Sequence, residues 1–285
     1  MKRLTKILAT AASVLAVASV GGQSGTTITV KGSDTMVILA QKWAEVYMQK
    51  HPGVKIQVTG GGSGVGFAAL QNAQTDLATA SRPIKAREIE ACIKAFGKRP
   101  TEYKVAIDGL TIYVNSANPV DALTIDQLEA IFTGRIRNWK EVGGPDMPIT
   151  VYSRENSSGT YEFFKEHVLK GKDFVASAQT MPGTAAVLQA VAKDKTGIGY
   201  GGAAYGAGAK HLKVKADSNS PAIEPTEENV INRTYPIWRY LYIYVNPALD
   251  KGEIGKYLRW IRSDEGQALV KEVGYFALPA DLRAK

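Results

Sequence analysis

Short apolar runs alternate with segments of helical periodicity along the first third of the chain. Residues 27–30 alternate as a strand, and apolar side chains then recur at helical spacing through residues 36–50. Residues 54–59 form a second strand-like run, which leads through a glycine-rich turn into a predicted helix over residues 67–74. A third strand-like run occupies residues 76–81. This alternation predicts an α/β fold with mixed, mostly parallel sheets flanked by helices.

Two later apolar runs, residues 103–114 and 239–245, are interpreted as crossings between two lobes. If the chain leaves the first lobe along the earlier run and returns along the later one, the second lobe is an insertion. We therefore predict a first lobe in two pieces and an inserted second lobe, residues 27–108 plus 239–285 and residues 109–238. The pattern alone allows one continuous α/β domain equally well.

The N-terminal residues have the composition of a secretory signal peptide. Three basic residues within the first six precede an uncharged, mostly apolar run over residues 7–20, which is too short to span a bilayer comfortably. We predict cleavage after Ala18, so that residues 1–18 are removed, and an uncleaved anchor helix is the alternative. Removal takes the 35 basic residues to 32 against 27 acidic ones, which lowers the net charge from +8 to +5.

The overall composition excludes disordered, fibrous and polytopic membrane chains. The 285 residues are 45% hydrophobic and 22% charged, as in ordinary globular proteins. The single cysteine, Cys92, excludes an intrachain disulfide framework and a thiolate zinc cluster, and we expect it to be buried. The sequence has no second apolar stretch of membrane-spanning length and no long Lys/Arg block. We therefore expect a soluble exported protein that binds no nucleic acid.

Polar turns at the starts of predicted helices are candidate anion sites. After a strand that ends at Arg154, the turn Ser157-Ser158-Gly159-Thr160 places hydroxyls and bare amides at a helix start. First-turn N–H groups lack intrahelical partners and lie at the positive end of the helix dipole, where an anion is stabilised. Similar turns occur at Ser33-Asp34-Thr35, Ser63-Gly64 and Ser81-Arg82. For any single turn, helix capping and a surface arginine are the simpler explanation, and the repetition favours an anion site.

Residues 123–151, which lead into Arg154 and the Ser158-Gly159-Thr160 turn, closely resemble the phosphate-binding proteins of bacterial ABC phosphate importers. The resemblance extends over nearly the whole mature chain, including residues 32–35, 61–64, 80–84, 108–110 and 197–200. It implies a two-lobed type II periplasmic binding protein, in which two hinge strands join the lobes. It also implies that the lobes close on dehydrated phosphate and that the protein then docks onto a membrane permease.

The same resemblance implies roles for individual residues. Arg154 corresponds to the guanidinium that pairs with phosphate, and the Ser158-Gly159-Thr160 turn corresponds to hydroxyl and amide donors. Ser63 corresponds to a donor from the first lobe. The Ser33-Asp34-Thr35 turn corresponds to a segment at the cleft, and Ser81, Arg82 and Ser157 lie in or beside the matching motifs.

Position 82 departs from the family pattern. The best-characterised members carry an aspartate there that accepts the proton of monohydrogen phosphate, whereas this chain carries Arg82. Sulfate has no proton to donate at neutral pH, so a receptor for sulfate or another tetrahedral oxyanion is the alternative. Asp34 is the nearest candidate acceptor, and we expect Arg82 to favour its ionised form. Capping of the following helix is the alternative role of Asp34.

We predict no catalytic residue, no metal and no cofactor. A secreted phosphate-ester hydrolase, the rival from another class, needs a base or a metal beside its nucleophile. The three histidines have no sequence context that indicates a triad with Ser63 or Ser158. The glycines of residues 197–202 match a dinucleotide fingerprint, but a βαβ unit of the right length is missing. A surface role with vestigial phosphate binding has no specific feature for or against it.

Overall fold

The computed structural model describes residues 25–206 and 208–283, so the predicted signal peptide lies outside the described residues. The strands of the described part are β1 (Thr26–Gly32), β2 (Val54–Thr59), β3 (Leu77–Ala80), β4 (Thr101–Val114), β5 (Ala122–Thr124), β6 (Thr150–Arg154), β7 (Gln179–Met181), β8 (Gly197–Gly202), β9 (Lys210–Lys215) and β10 (Trp238–Val245). The helices are α1 (Val37–Lys50), α2 (Ser63–Gln71), α3 (Ala86–Phe96), α4 (Ile125–Phe132), α5 (Gly159–His167), α6 (Gly183–Lys193), α7 (Glu227–Ile231), α8 (Gly252–Arg262) and α9 (Asp264–Val273). Short 3₁₀ turns lie at Asp34–Met36, Trp139–Val142, Ala203–Tyr205 and Ala280–Leu282.

The strands hydrogen-bond in the order β2-β1-β3-β10-β4-β8-β6-β7, and β9 pairs with β4 and β5. The pairs that β1 makes with β2 and β3, β6 makes with β7 and β8, and β5 makes with β9 are parallel. Among the named strands, β10 pairs antiparallel with β3 and β4, and β4 pairs antiparallel with β8 and β9. The predicted α/β fold with mixed, mostly parallel sheets is confirmed.

Strand β4 runs through both halves of the sheet. Its residues 101–109 pair with β10, and its residues 110–114 pair with β8. The chain returns through β10, whose first residue, Trp238, pairs with Gly109. Two strands therefore link a first lobe, built around β1 to β3, with a second lobe, built around β6 to β8.

Each lobe buries apolar side chains in two separate clusters. In the first lobe, Trp43 of α1 belongs to the cluster that contains α8 and α9, whereas Phe67 of α2 and Cys92 of α3 form a second cluster. In the second lobe, Phe132 of α4 lies in the largest cluster and Val187 of α6 in a separate one. Because helices cover both faces of the parallel strands, β3 and β8 are buried at every residue and do not alternate.

Helix α2 begins at Ser63, four residues before the predicted start, and it ends at Gln71 instead of residue 74. The preceding turn is short because Gly62 adopts a φ of 95°, which glycine tolerates without steric cost. Gly66 lies inside the helix, where a Cβ atom would come within 2.8 Å of Gly32 in β1. The glycine run therefore permits close packing of a helix on a strand, and it places Ser63 at the helix start.

The glycines of residues 197–202 form the buried strand β8 itself and do not connect a strand to a helix. At Gly199 a Cβ atom would lie 2.6 Å from Val187, so these glycines allow α6 to pack closely on the strand. This arrangement differs from a dinucleotide-binding turn. None of the helices in residues 25–206 and 208–283 is long and apolar enough to cross a membrane.

Candidate functional site

Four buried hydroxyl groups meet where the two lobes face each other. Thr35 follows β1, Ser63 begins α2 and Ser81 follows β3, whereas Thr160 lies in the first turn of α5 in the second lobe. The Oγ1 atoms of Thr35 and Thr160 are 2.8 Å apart. Ser81 Oγ lies 3.4 Å from both Thr160 Oγ1 and Ser63 Oγ. We refer to these four residues as the hydroxyl cluster, and the sequence predicted each of them as a site residue.

Helix α5 begins at the hydroxyl cluster. Ser158 caps the helix, because its Oγ accepts a hydrogen bond from the N–H of Tyr161 at 3.2 Å. The N–H groups of Gly159 and Thr160 are first-turn donors with no intrahelical acceptor. A Cβ atom at Gly159 would lie 2.8 Å from Ser81 Oγ, so glycine permits the close approach. The helix therefore brings free donors and the positive end of its dipole to the cluster.

Arg154, the last residue of β6, places its guanidinium between the lobes. Its side chain is 1% exposed, and its terminal nitrogens donate to Thr184 Oγ1 and to Asp34 Oδ2, each at 2.8 Å. Its buried Nε has no hydrogen-bond acceptor among the described residues. Burial lowers the pKa of Arg154 and the charge of Asp34 acts in the opposite direction, but an arginine in a protein keeps its proton. A buried positive charge with a free donor is suited to an anion.

Asp34 bridges the turn after β1 to the turn before α2 and to the second lobe. Its Oδ1 accepts from the N–H of Gly61 at 2.7 Å, and its Oδ2 accepts from Arg154. Its backbone carbonyl accepts from the hydroxyl of Tyr205 at 2.7 Å. The carboxylate caps neither the 3₁₀ turn nor α1. The alternative role of Asp34 as a helix cap therefore does not fit its contacts.

Ser33 and Ser157 lie beside the cluster and contact their neighbours through the backbone. The N–H of Ser33 donates to the carbonyl of Thr79 at 3.0 Å. The carbonyl of Ser157 accepts from the N–H of Gly64 at 2.9 Å, which joins the two lobes directly. In the described part of the chain, the buried Ser33 Oγ has no hydrogen-bond partner.

Arg82 is held by carboxylates outside the hydroxyl cluster. Its terminal nitrogens donate to the two carboxylate oxygens of Glu88 at 2.8 and 2.7 Å, and its Nε lies 2.6 Å from Glu162 of α5. Burial lowers the pKa of Arg82, but the hydrogen bond and charge of Glu88 and the charge of Glu162 give a net increase. The cation that pairs with Asp34 is Arg154, and Arg82 is paired with the carboxylates of Glu88 and Glu162 instead.

Three polar residues of the site were not predicted. Arg239 in β10 donates to Thr160 Oγ1 at 3.0 Å and to Asp108 in β4, and Thr184 at the start of α6 binds Arg154. The sequence contained a signal for the pairing of Asp108 with Arg239. Asp108 interrupts the apolar run of residues 103–114, and Arg239 begins the apolar run of residues 239–245. A buried charge requires an opposite charge nearby, so the two runs could have been paired through these residues.

The site supplies hydrogen-bond donors and positive charge. The histidines considered above as possible catalytic bases are engaged elsewhere, since the ring nitrogens of His167 and His211 contact the backbone carbonyls of Phe163 and Gly206. Among the described residues, no group of three His, Cys, Asp or Glu side chains is arranged to hold a metal ion. The arrangement suits the reversible binding of a small anion from both lobes at once.

Two α/β lobes linked by two strands, with anion donors between them, define a solute-binding protein of the periplasmic type. A sequence profile for the PBP superfamily domain matches residues 17–265. The phosphate-binding protein PstS of Pseudomonas aeruginosa is 36% identical over 281 residues, which is 93% of this chain and 86% of the relative. PstS of Staphylococcus aureus is 35% identical over 257 residues, which is 87% of this chain and 77% of the relative.

Solved structures give the same result. A substrate-binding protein assigned to a phosphate ABC transporter of Clostridium perfringens, with bound phosphate, matches with a TM-score of 0.81 and 30% identity. The match covers 89% of this chain and 100% of that chain. An ABC-type phosphate transport receptor of Vibrio cholerae matches with a TM-score of 0.70 and 29% identity, over 88% and 100% of the two chains.

The chain therefore belongs to the PBP superfamily and, within it, to the family of PstS phosphate-binding proteins. The predicted family and two-lobed fold are confirmed. Because the relatives are named as binding and transport proteins, the prediction of a binding protein rather than an enzyme is confirmed as well.

Proposed function

We propose that this protein captures inorganic phosphate between its lobes and delivers it to an ABC importer. The observation that carries the proposal is the buried Arg154, whose Nε has no acceptor among the described residues and whose terminal nitrogen binds Asp34, the neighbour of Thr35 in the chain. A dehydrated anion needs several charge-assisted hydrogen bonds to replace its hydration shell. The phosphate named for the relatives, and bound in the structure from C. perfringens, supports phosphate as the ligand.

We assign direct contacts with phosphate to Arg154, to the hydroxyl cluster and to the N–H groups of Gly159 and Thr160. Ser158 holds the helix start as its cap, and Ser33 and Ser157 shape the turns on either side. Asp34 is assigned as the acceptor of the phosphate proton, because its carboxylate lies beside Arg154 and is 18% exposed. An acceptor at this position favours phosphate over sulfate.

We propose that β4 and β10 are the hinge and that the lobes comprise residues 27–108 plus 239–285 and residues 109–238. The change of partner within β4, from β10 up to Gly109 to β8 from Leu110, supports this boundary. Closure of the lobes about these strands would bring Thr160 to Thr35. Closure around a ligand is a common mechanism of two-lobed receptors.

We also propose that the protein is exported to the periplasm, acts there as a monomer, binds no nucleic acid and docks onto the membrane permease of the importer. The signal-peptide pattern of residues 1–18 supports export. The modest net charge of +5 that remains after removal of its three basic residues, with 32 basic and 27 acidic residues, supports a soluble receptor.

Arg82 is proposed to act in closure, without contact to phosphate. It connects the first lobe to Glu162 of the second, and Lys85 Nζ also lies 2.5 Å from Glu162. Glu88 holds the guanidinium within the first lobe, so Arg82 is in place before the lobes meet. The contact exists only when the lobes are together, so its energy favours the closed state.

Glu162→Gln is expected to speed phosphate release and to weaken binding by about tenfold, equivalent to ~1.4 kcal/mol. The substitution removes the carboxylate charge that pairs with Arg82 and Lys85 across the lobes. Stopped-flow measurement of phosphate dissociation tests this. Glu166→Gln is the matched control, since Glu166 lies one turn later in α5 and is exposed. Equal release rates for the wild type and Glu162→Gln would remove Arg82 from closure.

Calorimetry of the mature protein with phosphate and with sulfate tests the proposed function. We expect phosphate to bind with one site per chain and sulfate to bind far more weakly, because sulfate cannot donate to Asp34. Tighter binding of sulfate than of phosphate would overturn the assignment. Absence of heat for both anions would overturn the receptor function.

A further inference from the structure

Arg239 connects the hydroxyl cluster to the two hinge strands. It is the second residue of β10 and is 3% exposed. Its two terminal nitrogens donate to Ser81 O and to Thr160 Oγ1, each at 3.0 Å. Its Nε and one terminal nitrogen also donate to Asp108 Oδ2, at 3.0 and 2.8 Å. Each nitrogen of the guanidinium therefore has an acceptor, and the acceptors come from both lobes.

The contact with Arg239 restricts the hydroxyl of Thr160. A guanidinium only donates hydrogen bonds, so Thr160 Oγ1 is the acceptor in this contact. The hydroxyl has one proton, and it can donate that proton to only one neighbour at a time. Its candidate acceptors are Thr35 Oγ1 at 2.8 Å, Ser81 Oγ at 3.4 Å and an oxygen of the anion. Thr160 is thereby committed to donate into the cleft.

We propose that Arg239 is a positioning residue for phosphate binding, which acts by holding the Thr160 hydroxyl as a donor to the bound anion. This inference rests on the proposed phosphate function. Donation to Thr160 Oγ1 by a charged group polarises the hydroxyl, and hydrogen bonds arranged in a chain strengthen one another. Arg239 thus acts on the anion through Thr160.

Asp108 limits the long-range effect of the Arg239 charge. Its carboxylate is fully buried, and while Oδ2 binds Arg239, Oδ1 accepts from the N–H of Ala203 at 3.0 Å. The ion pair has no net charge, so its field at the anion is weaker than that of a single charge at the same distance. Most of the effect of Arg239 on phosphate affinity should therefore disappear when residue 160 has no hydroxyl group.

A double-mutant cycle with Arg239→Lys and Thr160→Val tests the inference. Lysine keeps a positive charge beside Asp108 but cannot reproduce the planar fork that reaches three acceptors. We expect each single change to weaken phosphate binding by about tenfold or more. In the Thr160→Val background, Arg239→Lys should change the dissociation constant by less than about twofold. The reason is that the free-energy effects of substitutions at two contacting residues are not additive.

The matched control is Arg262→Lys. Arg262 is half-buried in the first lobe, donates to the carbonyl of Leu282 at 2.7 Å and lies over the ring of Tyr103. We expect the Arg262→Lys variant to bind phosphate with the affinity of the wild type. If Arg239→Lys does not fold, Asp108→Asn combined with Arg239→Gln replaces it in the cycle, because removal of both charges avoids a lone buried charge.

Losses that add fully across the cycle would overturn the inference, since Arg239 would then act independently of Thr160. Unchanged affinity in both the Arg239→Lys single variant and the paired variant would overturn it as well. These results differ from failure of the proposed function, in which the wild-type protein itself does not bind phosphate and the inference falls with it.

Discussion

Arg154→Met is expected to weaken phosphate binding by several hundredfold, a loss of about 3 to 4 kcal/mol of binding free energy. The Arg154 guanidinium is buried with a free Nε, and methionine has a side chain of similar reach that donates no hydrogen bond. The change also leaves the Asp34 carboxylate without its paired cation. Isothermal titration calorimetry with phosphate measures the loss.

Two further variants separate charge from geometry at Arg154. Arg154→Lys keeps the charge and loses the planar fork, so we expect an intermediate affinity. Arg154→Met combined with Asp34→Asn also removes the proposed acceptor of the phosphate proton, so we expect no recovery of phosphate affinity. Arg262→Met, remote from the cluster, is the control for loss of a half-buried arginine. An unchanged dissociation constant in Arg154→Met would remove Arg154 from the site.

The local parts of the site could be predicted from the sequence because local chemistry determines them. A strand that ends at Arg154 and a helix that begins after Ser158 follow from residue spacing and capping, and the structure has both. The meeting of these parts does not follow from spacing. Thr35 and Thr160 are 125 residues apart in the chain, and the packing of two lobes brings their hydroxyls together. For this step the family resemblance was needed.

The ion-pair partners of the buried arginines were not predicted from the sequence. Arg82 pairs with Glu88, six residues away, and with Glu162 from the other lobe. Arg239 pairs with Asp108, which is 131 residues away and opposite it in the register of the hinge strands. The sequence shows that a buried charge needs a partner, but tertiary packing decides among several carboxylates. The sequence places Arg82 near the Asp34 turn, but the structure pairs Arg154 with Asp34.

Asp34→Asn is expected to lower the preference for phosphate over sulfate by about a hundredfold, which corresponds to ~2.7 kcal/mol. The Asp34 carboxylate can only accept hydrogen bonds when ionised, so in its proposed role it accepts the proton of phosphate and repels sulfate. Asparagine replaces one carboxylate oxygen with an amide NH2 group. This group donates a hydrogen bond to an unprotonated oxygen, which both phosphate and sulfate have. Calorimetric titrations with both anions at one pH and ionic strength give the ratio of affinities.

The ratio distinguishes the acceptor role of Asp34 from a role in holding its neighbours. Asp34 also accepts from Gly61 and pairs with Arg154, so a variant that only disturbs these contacts should weaken phosphate and sulfate by the same factor. A changed ratio requires a group that senses the proton. Asp76→Asn is the matched control, because Asp76 also accepts a backbone N–H, that of Thr29 at 2.7 Å, and does not contact the hydroxyl cluster. An unchanged ratio in Asp34→Asn would assign Asp34 to the positioning of Arg154, and discrimination against sulfate would then have to come from another acceptor.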